Sequence, residues 1–196
     1  MTGSLDGHNE PESDIAPHNS RTEKHPVKEA ISDGLTGLRT QRSFMEALEG
    51  EGRRSKRTGH QFCVILVRLD MIKQTGDRVG EPERDKVLQT VAALLDGRLR
   101  QPNVVARYGE GEFAILTPET NAQQAEILAE RLRAALQADE FLRRHGVTAS
   151  FGIATFPHHN LTVEEILGLA QSGASLAQHH HGNCVKRALL SPCRRD

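Results

Sequence analysis

Cysteine is scarce in this chain: three residues in 196, at positions 63, 184 and 193. The number is odd and the spacing wide, which excludes a disulfide framework and points to a reducing, cytoplasmic setting. Cys63 lies inside an apolar run and reads as a small core residue. No apolar run reaches the ~18 residues that a membrane-crossing helix needs. Neither sign of charge is in excess: Lys and Arg total 25 and Asp and Glu total 26. Nothing in that balance draws the chain to a nucleic-acid polymer or a membrane surface. The opening MTGSLDGHNEPESD is polar and acidic, without the pattern of a secretory signal. Residues 1–26 hold Pro11, Pro17 and Pro26 and almost no large apolar side chain. Such a segment buries too little to offset its ordering entropy and is expected to be a disordered tail. It precedes a domain expected over 27–190 and a short tail at 191–196.

What is present is a regular alternation of periods. After the loop beginning at Asp33, Phe44, Ala47 and Leu48 fall on one side of a helix running to Glu51. FCVILVRL, 62–69, is a continuous apolar run, as in a central strand covered on both faces. Residues 85–99 return to helical spacing, with apolar side chains at 87, 88, 91, 94 and 95. Thr120-Asn121-Ala122-Gln123 resembles a capping box and opens a helix carrying Ala125, Leu128, Ala129, Leu132 and Leu136. VTASFGIATF, 147–156, reads as a strand ending at Pro157. Thr162 to Glu165 is a second capping box, and a last strand is expected over 183–190. Strands alternating with covering helices imply one mixed sheet in an α/β sandwich.

The chain centres on VVARYGEGEFAIL, 104–116. Two apolar runs flank Gly109-Glu110-Gly111-Glu112, which reads as a β-hairpin with two carboxylates at its tip. Gly111 is expected to supply a positive φ there.

Five stretches in order resemble GGDEF domains, the diguanylate cyclases. DGLTGLRTQRSF (33–44) is similar to DxLTGLxNRRxF, LVRLDMIK (66–73) to the DxDxFK strand, and RYGEGEF (107–113) to RYGGDEF. AERLR (129–133) and VTASFGIATFP (147–157) are similar to AERIR and VTxSxGxAxxP. The resemblance implies an α/β fold, a nucleotide-cyclase-like palm with a five-stranded mixed sheet flanked by helices. It also implies joining of two GTP into cyclic di-GMP, one GTP per domain of a homodimer, with strand and tip carboxylates holding Mg²⁺ or Mn²⁺. Hard cations take oxygen ligands, and the metal neutralises charge on the reacting phosphates.

The chain departs from that pattern at most of the implied site. Arg68 stands where a metal-binding Asp is implied, and a fixed cation repels a metal. Gly111 replaces the acidic third residue of the tip, and Glu110 puts an anion where a glycine lets the triphosphate approach. Gly76 replaces the guanine-reading Asn. AQSGASLAQHHHGNCV (170–185) resembles ADxALYxAKxxGRNxV but has Gln178 for the phosphate-binding Lys and lacks the Arg. The remnants are Asp70, Lys73, Asp85, and Glu112 with Phe113 of the tip. Removing one oriented electrostatic partner from an active site costs ~2.7–4 kcal/mol, so no useful turnover, no catalytic residue and no metal cofactor are expected. Arg68 is expected to pair with Glu110 or Glu112 and so replace the ion by an internal ion pair.

The resemblance also implies an inhibitory product site, RxxD, ahead of the tip. Here it reads Arg100-Gln101-Pro102-Asn103, with Arg131 of the AERLR helix as a second arginine. Arginine pairs bidentately with guanine N7 and O6, while Asn103 accepts a hydrogen bond without charge assistance. His179, His180 and His181, with His158 and His159, have no ligand spacing for zinc and are read as a solvated loop. The expectation is therefore a cytoplasmic, catalytically degenerate GGDEF protein acting by binding cyclic di-GMP at Arg100, Asn103 and Arg131, or another protein. Two alternatives remain open: an active cyclase using Mg²⁺, and an interaction module that binds no nucleotide.

Overall fold

The central strand decides the arrangement of the rest. The computed structural model describes residues 31–70, 81–156 and 161–188. Within them β1 (Phe62–Asp70) is buried along nearly its whole length. Its side chains alternate between two cores. Cys63, Ile65, Val67 and Leu69 face α2 (Glu81–Asp96), α3 (Ala122–Ala138) and the short α4 (Glu140–Arg144). Phe62, Val64 and Leu66 face α1 (Gln41–Thr58) and α5 (Val163–His179). By the same alternation Arg68 and Asp70 come out on the α5 side. β1 lies between β3 (Glu112–Thr117) and β4 (Thr148–Phe156), antiparallel to both. β2 (Val104–Gly109) and β5 (Val185–Arg187) complete the order β2-β3-β1-β4-β5, with β5 parallel to β4. This is the expected five-stranded mixed sheet with helices on both faces.

One close approach fixes α5 on the sheet. A Cβ added to Gly152 of β4 would lie 1.9 Å from the Ala170 carbonyl oxygen and 2.2 Å from the Ala174 nitrogen. The helix therefore rests main chain against main chain, which only glycine at 152 permits. Cys63 donates to the Thr120 carbonyl at 3.2 Å and lies 3.2 Å from the Thr155 hydroxyl. Burial pushes its thiol up to about 11, against smaller opposing effects of Thr155 and Arg187.

Several boundaries differ from the sequence reading. α1 continues to Thr58, and α2 spans 81–96 rather than 85–99. The last strand is only Val185–Arg187, with 189 and 190 outside the described residues. The cap of α3 is Asn121 with Gln124, one residue later than expected. The Thr120 hydroxyl is bonded instead to the Pro118 carbonyl at 2.8 Å. The Thr162–Glu165 box is present as read. Gly111 does not have a positive φ: among described glycines that conformation occurs at 37, 59, 146 and 182. A bulge at Tyr108 turns the hairpin instead, since Arg107 pairs with Phe113 and Gly109 with Glu112. The Gly111 carbonyl then accepts the Leu69 N–H at 2.9 Å.

Candidate functional site

The tip end of the sheet collects the residues that the motifs single out. Arg68 on β1 is directly opposite Glu112 on β3, so their side chains share a face. Arg68 donates from Nε at 2.7 Å and from Nη2 at 2.6 Å to Glu112 Oε1. Its Nη1 donates to Ser175 Oγ on α5 at 2.7 Å. All three guanidinium nitrogens are thus engaged, with each charged side chain about a quarter exposed (24% and 26%).

Glu110, on the outer side of the tip, pairs with Arg84 of α2. Two residues that the motifs do not single out, Ser175 and Arg84, therefore hold the tip on opposite sides. Ser175 has a signal in the sequence, because it stands where the ADxALYxAK pattern has Tyr. Arg84 has none: it lies outside every matched stretch.

Asp70 is buried and fully occupied. Its Oδ2 accepts from the Thr148 hydroxyl and the Asn183 N–H, both at 2.8 Å. Its Oδ1 accepts from the Ser150 hydroxyl at 2.8 Å and from Gln178 Nε2 at 3.3 Å. Gln178, at the lysine position of the family pattern, thus turns inward to this carboxylate. The bond from Asn183 also closes the loop after α5, where His181, Gly182 and Asn183 all have positive φ. Asp85 is exposed on the first turns of α2, and Lys73 and Gly76 lie outside the described residues.

Farther back along β2, Asp33 anchors the loop before α1. It accepts from the Thr36 N–H and hydroxyl at 2.9 and 2.7 Å and from Arg107 Nη1 at 3.2 Å. Burial alone raises its pKa. The Thr36 bonds and the Arg107 guanidinium outweigh that and hold the carboxyl below 3.8.

The opposite end of β2 is organised differently. Arg100 and Asn103 sit on the turn between α2 and β2, with the Asn103 N–H donating to the Arg100 carbonyl at 2.9 Å. Neither side chain has a partner among the described residues. Asn103 lines a hollow of about 490 Å³ between α2 and the loop at 32–39. Arg131 is exposed on α3 and lines another hollow of about 720 Å³, with Ile127, Ala134 and Arg187. The structure thus gathers Arg100 and Asn103 on one turn and puts Arg131 beside a separate concavity. His179 ends α5, and His180 and His181 follow it, all exposed; His158 and His159 lie outside the described residues. Among the described residues no three His, Cys, Asp or Glu side chains are grouped to hold a metal ion. None of the described helices is long and apolar enough to cross a membrane.

Comparison with known proteins matches the fold described above. The family model described as diguanylate cyclase, GGDEF domain, matches residues 30–184. Diguanylate cyclase DgcP of Pseudomonas aeruginosa is 36% identical over 151 residues, covering 76% of this chain and 22% of that protein. The GGDEF domain of DgcB from Caulobacter crescentus, solved in complex with c-di-GMP, superposes with a TM-score of 0.77 at 24% identity. It covers 84% of this chain and 99% of that one. Diguanylate cyclase SiaD of Pseudomonas aeruginosa, solved with its activator SiaC, has a TM-score of 0.71 at 30% identity, covering 82% of this chain and 61% of that one. The chain spans about an eighth to two fifths of the length of the curated relatives it matches.

Proposed function

The chain belongs to the GGDEF family of diguanylate cyclases, and from that premise we propose that it serves cyclic di-GMP signalling by binding rather than by turnover. One observation carries the reading: the Arg68 guanidinium, bonded to Glu112 and Ser175, stands where the family pattern puts a metal-binding carboxylate. The donor set does not fit a divalent cation. The nearest strand group is a fixed positive charge, Gly111 offers no side-chain oxygen, and the Asp70 carboxylate already accepts four hydrogen bonds. Arg68 acts as a tethered cation that neutralises the tip permanently.

The ligand of this reading is cyclic di-GMP, held by the Arg100–Asn103 turn. Arg100 is exposed and has no side-chain partner among the described residues, so pairing with guanine N7 and O6 breaks no bond described within the fold. A protein partner is the second reading, favoured by SiaD having been solved with its activator. Incubation with GTP and Mg²⁺ or Mn²⁺, followed by chromatography, is expected to yield no cyclic di-GMP; accumulation of that product would overturn the proposal. Calorimetry is expected to show binding of cyclic di-GMP by the wild type and its loss in Arg100→Ala.

A further inference from the structure

Helix α3 is satisfied on one side only. It buries Ala125, Ala129, Leu132 and Leu136 against the sheet. On its opposite side, helical spacing aligns Gln123, Ile127, Glu130, Arg131, Ala134 and Ala138, all exposed. Ile127 is 56% exposed, one of three large apolar side chains left open among the described residues. Arg131 makes no hydrogen bond or ion pair with any described residue. Glu130 accepts from Arg133 Nε at 2.7 Å, but Arg133 also donates to Gln137 and Asn183. Glu130 can therefore turn outward without leaving that guanidinium unpaired.

The order of these residues is self-complementary. A twofold axis perpendicular to α3, crossing it between Glu130 and Arg131, lays a second α3 antiparallel on the first. The six positions then map onto themselves. Ile127 meets the partner's Ala134, Gln123 meets the partner's Ala138, and Glu130 meets the partner's Arg131, each contact made twice. The alanines let the helix axes approach to about 8 Å, and each isoleucine fills the space that the facing alanine leaves. The two ion pairs lie beside the axis, at the centre of the patch, where water is excluded most.

We propose that this face of α3 binds a second copy of the chain, forming a twofold dimer that needs no nucleotide. α3 covers the face of the sheet opposite α5, whereas Arg68 of the tip lies on the α5 side. The contact is therefore not a meeting of two tips. One helix pair is small for an interface, below the ~1,200 Å² of a standard stable complex, so the dimer is weak and depends on concentration.

Sedimentation velocity on the full chain without nucleotide tests this. The wild type is expected to shift from monomer to dimer as its concentration rises. Arg131→Glu and Glu130→Arg each set like charges against one another at the axis. Each is expected to weaken self-association about tenfold or more, with an unchanged melting temperature. An equimolar mixture of the two variants is expected to dimerise again, because every charge at the axis then meets its opposite. A wild type that stays monomeric at high micromolar concentration leaves the face to some other occupant and overturns the proposal. Self-association that Arg131→Glu does not weaken, or a mixture that stays monomeric, overturns it equally.

Discussion

The two ends of strand β2 handle charge in opposite ways. At the tip, Arg68, Glu112, Glu110, Arg84 and Asp70 are bonded to one another or to neighbouring hydroxyls and amides. At the turn, Arg100 and Asn103 have no side-chain partners among the described residues. Charges satisfied within the fold contribute to stability and have little left for a ligand. Charges left open contribute little to stability and are available. The contrast predicts that substitutions at the tip change melting, while substitutions at the turn change binding.

The largest effect on the closed end is expected from Gly152→Val. The new side chain collides with the backbone of α5, and overpacking of this kind costs ~3 kcal/mol or more. Denaturant titration is expected to show a large drop in midpoint or failure to fold. Asp70→Ala is expected to follow at ~3 kcal/mol, because it leaves the buried Ser150 hydroxyl and the part-buried donors of Thr148 and Asn183 unpaired. Asp70→Asn, which keeps an acceptor, is expected to cost less. Arg68→Ala is expected to cost ~1 kcal/mol in the same assay, a small figure because solvent screens both partners.

Asp33 lies between the two ends, and its contribution depends on pH. Its folded pKa is below the unfolded one, so its stabilisation is complete above the ordinary carboxylate range and disappears as pH falls through 3.8 and below. The stability gap between wild type and Asp33→Asn is expected to be widest near neutrality and to narrow towards pH 3. The smallest effects are expected at the open end. Arg100→Ala and Asn103→Ala are each expected to shift stability by less than ~0.5 kcal/mol. A loss above ~1 kcal/mol at either residue would break the contrast.

The fold is legible in the sequence because its signals are local. The apolar run of β1 and the spacing of the helices require burial on both faces of a sheet, whatever the loops do. The cap of α3 falls one residue from its expected place because Thr120 and Asn121 are both competent caps, and the competing Pro118 carbonyl is visible only in three dimensions. The Arg68–Glu112 pair is legible because an acid-to-arginine change beside a retained acid suggests a partner. Arg84–Glu110 is not, since 26 residues and an element boundary separate the two.

The seat of α5 on Gly152 has a mechanical consequence. With no side chain between helix and sheet, the height at which Ser175 and Gln178 meet β1 is set by main chain alone, and no rotamer change can lift it. That end of the domain behaves as a keel. Substitutions on the exposed face of α5 therefore leave its depth untouched, and a side chain at position 152 is what would change it.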